Sequence, residues 1–219
     1  MGFLLQSATA ALALFAAAPT VVQAAKFCDG PVCYSEFVST QRVAYRVAVP
    51  DTAARGTAFD VLIQIVAPRA VGWAALAWGG QMTNNPLTIA YSNGGTGAVV
   101  SSRRAVSRTA PSPYPGASYA VFGTSTTNAT HWRLDALCSG CSAWTGGSVD
   151  PAGAAVTIAW ASSARAPTTP SSNTSTIAIH DNKARVAFDL AAGRIANFTQ
   201  LVAAKRAGVT PDNWTHKVY

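Results

Sequence analysis

Few side chains in this sequence could do chemistry, and they sit at places where chains turn. Apart from Met1 the only methionine is Met82. It follows Gly79-Gly80, a pair that lets the backbone bend, and precedes the turn-forming run Thr83-Asn84-Asn85-Pro86. A methionine filling a core gap belongs more naturally inside a strand, so Met82 reads as a thioether at the lip of a tight connection. His180 closes the alternating run Thr176-Ile177-Ala178-Ile179 and precedes Asp181-Asn182. That places an imidazole at a strand tip, where a rigid sheet can present it into a pocket. A solvent-facing loop histidine is the plain alternative. His131, leading HWRLDALC, reads as structural, and His216, near the tail, as solvated.

Four cysteines fall in two close pairs, Cys28 with Cys33 and Cys138 with Cys141. Local disulfides are the default in an exported chain. A zinc site would have one suitable CxxC, and a thioredoxin-type redox pair would lack its βαβ setting. Ser142 after the CxxC argues against covalent haem attachment. The sequence has no Gly-x-Ser-x-Gly elbow, no His-Glu-x-x-His pair and no phosphate-cradling glycine loop before a helix. Its 9 acidic residues show no evident pair for glycoside hydrolysis.

The elements that would position Met82 and His180 are short strands. Runs at 43–49, 59–66, 73–78, 87–91, 98–101, 118–122, 131–137, 154–160, 174–180 and 185–190 alternate or are apolar, with Gly, Pro, Ser and Asn between them. The expected fold is all-β: an antiparallel β-sandwich of about ten strands, with at most one short helix, over 194–206. Residues 109–116 and 166–172 read as proline-rich loops.

Residues 1–24 are apolar, uncharged and end Val22-Gln23-Ala24, as a signal peptide does. Its removal would leave one domain, 25–219, in a secreted, extracellular protein. Sequons at Asn128, Asn173, Asn197 and Asn213 fit glycosylation on that route. The balance of 16 Lys and Arg against 9 Asp and Glu, a net +7, favours anionic partners. Basic residues are scattered apart from Arg103-Arg104 and Lys205-Arg206, so no nucleic-acid partner is expected. No later apolar stretch is long enough to span a membrane, and a monomer is expected.

Three blocks together resemble the haem b cytochrome domain of fungal cellobiose dehydrogenases and the related secreted iron reductase domains, a DOMON-type sandwich. They are Gly72-Trp73…Gly79-Gly80-Gln81-Met82-Thr83-Asn84-Asn85…Asn93-Gly94, then His131-Trp132…Cys138-Ser139-Gly140-Cys141-Ser142-Ala143-Trp144, then Ser175-Thr176-Ile177-Ala178-Ile179-His180…Phe188-Asp189-Leu190. The resemblance runs from about residue 27 to 200. It implies non-covalent haem b with Met82 and His180 as axial iron ligands, and it supports a Cys138–Cys141 disulfide, leaving Cys28–Cys33 as a terminal staple. Arg104, Arg108 and Tyr114 are the expected partners of the haem propionates.

With both axial positions filled, the implied work is outer-sphere one-electron transfer. The expected donor is a flavin dehydrogenase or a small redox mediator; the expected acceptor is ferric iron, a quinone or a copper lytic polysaccharide monooxygenase. The chain has no flavin domain of its own, and whether it is an enzyme, a ferric reductase, stays open at this point. Two other classes compete: a carbohydrate-binding sandwich stacking sugars on Trp73, Trp78, Trp144 or Tyr114, and a thiol oxidoreductase using Cys138 and Cys141.

Overall fold

Runs of period two make strands because successive side chains face opposite ways, and nearly every such run is a strand in the computed structural model, which describes residues 23–208. β1 (Ala25–Asp29) and β2 (Val32–Val38) form a hairpin crossed by the Cys28–Cys33 disulfide. β3 (Ala44–Pro50) and β4 (Val61–Pro68) follow. β5 (Trp73–Ala77), β6 (Pro86–Ser92) and β7 (Ala98–Arg104) make a meander. The short β8 (Ser112–Pro113), β9 (Ser118–Val121) and β10 (Thr126–Thr127) lead to the long β11 (His131–Ser139). β12 (Ala143–Trp144) and β13 (Gly147–Ser148) are a small separate hairpin. β14 (Val156–Ser163) pairs with β15 (Asn182–Phe188), and β16 (Arg194–Ile195) precedes α1 (Phe198–Arg206).

Two sheets pack face to face. One has the order β1-β2-β3-β4-β11-β10, with β16 on β3 and β9 on β11; the other runs β15-β14-β5-β6-β7-β8. Between them lie Tyr45, Ile63, Ile65, Leu76, Trp78, Trp132, Leu134, Ile158, Trp160 and Phe188, each stabilising the sandwich by about 1.5–3 kcal/mol if fully buried. The outer side of the larger sheet carries a second apolar cluster, where Phe198, Leu201 and Val202 of α1 cover Leu62 and Leu137.

The antiparallel sandwich is as expected, with three corrections. The Cys28–Cys33 segment, outside every run expected as a strand, belongs to a strand pair, with Cys28 directly opposite Cys33. The helix expected from 194 begins at Phe198, because Arg194 and Ile195 pair with Val49 and Pro50. The strand expected at 174–180 is no strand. β14 is already paired on both sides, by β5 and β15, so this stretch, which directly precedes β15, finds no place beside β14 and lies outside the ladder. The expected signal segment falls almost wholly outside the described residues, as do His216 and the Asn213 sequon.

Candidate functional site

The outward face of the smaller sheet is unlike the outward face of an ordinary sandwich. Cross-strand partners share a face. One row therefore reads Lys183, Ala161, Ala75, Ile89, Ser101 and the next Arg185, Ala159, Ala77, Leu87, Arg103. Four alanines form a low floor where sandwich exteriors usually carry long polar side chains. Trp73, opposite Ser163, and Tyr91, opposite Val99, wall one end of it. Met82 and Ile177 pack on this cluster from the loops above.

The Met82 loop leaves the far end of β5 and is braced from within. Gly80 and Asn84 both take positive φ, 75° and 63°, a conformation glycine adopts freely and asparagine tolerates. The Asn85 side chain donates through Nδ2 to Gln81 O at 3.0 Å and Thr83 O at 2.9 Å, clasping the loop on either side of Met82. Gly79 makes room for it: a Cβ there would lie 1.8 Å from Asn85 Oδ1. The Asn84 N–H donates to Ala105 O at 2.7 Å, tying the loop to the end of β7. Behind it, Trp78 Nε1 donates to Thr88 Oγ1, which contacts the Tyr119 hydroxyl; burial pushes the Tyr119 phenol well above its ordinary range.

His180 sits at the base of the long connection from β14 to β15, residues 164–181. Asp181 closes that loop. Its N–H donates to Ser162 O at 2.8 Å, and its carboxylate accepts from the Ala164 N–H and the Ser163 hydroxyl, each at 2.7 Å. The Ala164 backbone bond, then the Ser163 bond, hold the Asp181 carboxyl below its ordinary value. The loop's other end is pinned across the face. Tyr91 OH donates to Ser172 O at 2.6 Å. The buried Arg103 spans Ser101 Oγ at 2.7 Å, Pro111 O at 3.2 Å, Asn173 O at 3.3 Å and Ser175 O at 2.6 Å. Ser101 Oγ also donates to Asn173 O.

Met82 and His180 thus rise from opposite ends of the same alanine-floored face. Asp181 bonds at the Ser162–Ser163 end of β14, paired with Ala74 and Trp73, whereas the Met82 loop follows Ala77. Trp73 and Ala77 are ~13 Å apart at the rise of a strand, leaving space for a side chain reaching in from each end. One buried donor on this face lacks a partner among the described residues, Trp73 Nε1; an unpaired buried donor is costly, so it fits an acceptor supplied by a bound group. Arg104 Nε is also unpartnered among the described residues, but Arg104 alternates with Arg103 and so leaves β7 on the opposite face.

The other expected site residues are spread more widely. The Arg104 guanidinium lies 5.7 Å from the Tyr114 ring centroid and donates to Asn84 O of the Met82 loop at 3.4 Å. Arg108 is exposed in the segment beyond β7. His131 Nδ1 contacts Thr130 Oγ1 at 3.0 Å on the other sheet. Asn128, Asn173 and Asn197 are exposed. Arg103, Asn85 and Asp181 do the positioning yet look ordinary in sequence. The Asn-Asn after a Gly-Gly pair was the available signal for Asn85; nothing local marked the other two.

Of the aromatics a sugar could stack on, Trp73 and Trp78 are 3% and 1% exposed, too deep to serve, whereas Trp144 and Tyr114 are half-buried. Cys138 and Cys141 are disulfide-bonded with no exposed surface, so no substrate thiol reaches them.

Residues 27–200 match the family model of the cytochrome domain of cellobiose dehydrogenase. A pyrroloquinoline quinone-dependent pyranose dehydrogenase of Coprinopsis cinerea is 33% identical over 167 residues, which cover 74% of this chain and 23% of that protein. The chain thus spans about a quarter of the length of the curated relatives it matches. The crystal structure of the cytochrome b domain of Coprinopsis cinerea pyranose dehydrogenase superposes with a TM-score of 0.76 at 25% identity, covering 84% of this chain and 96% of that one. The cytochrome domain of Myriococcum thermophilum cellobiose dehydrogenase does so with 0.74 at 23% identity, covering 83% and 96%, a likeness of fold.

Proposed function

We propose that this chain, which belongs to the family of cytochrome domains of cellobiose dehydrogenase, binds haem b non-covalently between Met82 and His180 and passes single electrons outside the cell. The observation that carries the reading is the placement of a thioether and an imidazole at opposite ends of one face whose floor is alanine. Small side chains there leave room for a flat group, and the unpartnered Trp73 donor fits an acceptor on it.

Held by Met82 and His180, such a haem would supply a one-electron couple, with a thioether favouring its reduced state. The rest is the work of the chain. Asn85 fixes the thioether by holding Gln81 and Thr83 on either side of it. Asp181, Tyr91 and Arg103 fix the loop that carries the imidazole. Rigid donors mean little rearrangement between oxidation states, which favours fast transfer. Trp73, Tyr91 and Ile177 exclude water from the floor. Arg104, with Tyr114 beneath it, is the favoured partner of a propionate, and the exposed Arg108 stands further out.

The donor we propose is a sugar dehydrogenase carrying a flavin or quinone cofactor, or a small mediator. The acceptors are ferric iron, a quinone or a copper lytic polysaccharide monooxygenase. Export with loss of residues 1–24, a monomeric state, and glycans on Asn128, Asn173, Asn197 and Asn213 belong to the same proposal. The test is reconstitution of the secreted chain with haem. The wild type is expected to take up one equivalent and give a low-spin spectrum; Met82→Ala and His180→Ala are each expected to lose the low-spin form. Wild-type spectra in both variants would overturn the ligand assignment.

A further inference from the structure

Charge on this molecule is divided between its two sides. The larger sheet buries a compensated network on its outer face: Arg133 bonds Asp29 at 2.8 Å and Asp135 at 2.5 Å, Lys205 bonds Asp135 at 3.4 Å, and Arg46 bonds Glu36 at 2.6 Å. Three of the chain's acids are spent there. Of the others described, Asp60 accepts from Ser139 at 2.7 Å and Asp150 lies 3.9 Å from Arg55.

The site face gathers cations instead. Lys183 and Arg185 stand directly opposite Ala161 and Ala159, so both project from the site face at its β15 edge, and both are exposed. Arg165 is exposed at the foot of the His180 loop, and Arg104 donates to Asn84 O of the Met82 loop, whereas the exposed Lys26, Arg42, Arg69 and Arg206 are scattered singly over other elements. Asp181 is the acid in this region, and its oxygens are already taken by Ser163 and Ala164. Each ligand-bearing segment also has an exposed aliphatic beside it: Ile179 next to His180, and Val106 next to Ala105, which bridges Thr83. Both are 78% exposed. Scattered surface aliphatics are ordinary, but these two adjoin the segments that carry His180 and Met82.

We infer that this face is the docking surface for a redox protein whose own contact surface is acidic around an apolar centre. Like-sign clustering steers an oppositely charged partner into a short-lived encounter, and an uncharged contact at the centre lets two buried redox groups approach without stranding an ion. The redox part rests on the haem reading above; the charge part does not.

The test uses the haem-loaded, reduced chain in stopped flow against two oxidised probe proteins, plastocyanin with its acidic face and cytochrome c with its basic one. One electron leaves the chain and reduces the probe's metal by one unit, with no bond made or broken. Between about 0.01 M and about 1 M ionic strength, where the screening length shrinks from ~30 to ~3 Å, the rate with plastocyanin is expected to fall roughly tenfold or more. The double variant Lys183→Glu with Arg185→Glu is expected to abolish that dependence, while its absorption spectrum and its rate with a neutral quinone stay as in the wild type. Lys26→Glu with Arg206→Glu makes the same change of net charge on the other sheet and is expected to leave the dependence intact. Equal loss in both pairs would reduce the effect to net charge and overturn the surface, as would a salt-blind rate or a preference for cytochrome c. Retention of the chain on immobilised plastocyanin, lost at high salt and in the first pair only, reports the same face with or without haem. A chain that takes up no haem but is retained this way fails the redox reading alone; a low-spin chain that is not retained fails the docking surface alone. Retention on anionic vesicles with none on plastocyanin would assign the charge to a membrane and overturn the proposal.

Discussion

At the residue scale, the candidate site depends on residues that hold its loops in place rather than on those the loops carry. Gly79 is a glycine because Asn85 occupies the space a Cβ would fill. Gly79→Ala is therefore expected to push Asn85 off Gln81 and Thr83 and let Met82 drift. Thermal unfolding should fall by only a few degrees, since about 1 kcal/mol moves the midpoint of a domain this size by about 2–4 °C, while haem retention in dialysis drops by a larger factor. A large fall in stability with unchanged retention would contradict this. Arg103 is a second case. Its guanidinium holds four acceptors in a planar fork that lysine does not reproduce. Arg103→Lys should speed amide hydrogen exchange in 172–176 and shift the reduction midpoint, leaving exchange in α1 unchanged; an unaltered pattern in the loop would remove the arginine from that role. Met82 and His180 were legible because turn residues surround them. Arg103 was not, because an arginine on an alternating strand reads as solvent-facing unless something lies over it.

At the scale of elements, two coverings of sheet faces escaped the sequence for the same reason. Alternation reports which side of a strand a residue is on, and says nothing of what covers that side. Residues 174–180 alternate like a strand yet lie outside the ladder, and α1 covers Leu62 of β4 and Leu137 of β11 and bonds Asp135 through Lys205. Under α1, burial by itself would raise the Asp135 carboxyl, but Arg133 first and then Lys205 hold it below its ordinary value. An acid with a lowered folded value binds fewer protons folded than unfolded. Its contribution is thus present above the unfolded value, about 3.9, and is lost as pH falls through the folded one. Urea midpoints should hold steady near neutrality and decline below about pH 4. Asp135→Asn should cost about 3–5 kcal/mol, flatten that decline, and loosen α1 before the sandwich. A variant as stable as the wild type would show that the network is not what seats the helix.

At the scale of the whole molecule, the two sheets divide the labour. The larger one, stapled by Cys28–Cys33 and covered by α1, holds the compensated ions; the smaller one offers its outer face as the candidate site, with the exposed Lys183 and Arg185 at its edge. The sandwich itself was readable from strand spacing, and the residues of the resemblance named Met82 and His180, which stand at two ends of one face. What sequence could not supply was that these residues share one face, since only the register of β14 on β5 sets Ala159 and Ala161 beside Ala77 and Ala75.

The most direct test of the central claim is the visible spectrum of the oxidised, haem-loaded chain, compared with that of Met82→Ala. Thioether ligation of ferric haem produces a weak charge-transfer band at the red end, and the account predicts it in the wild type and its loss in the variant, with sharp α and β bands on reduction of the wild type. A low-spin wild type without that band, or a variant that keeps it, would contradict Met82 as the ligand and with it the pairing of the two ends of this face.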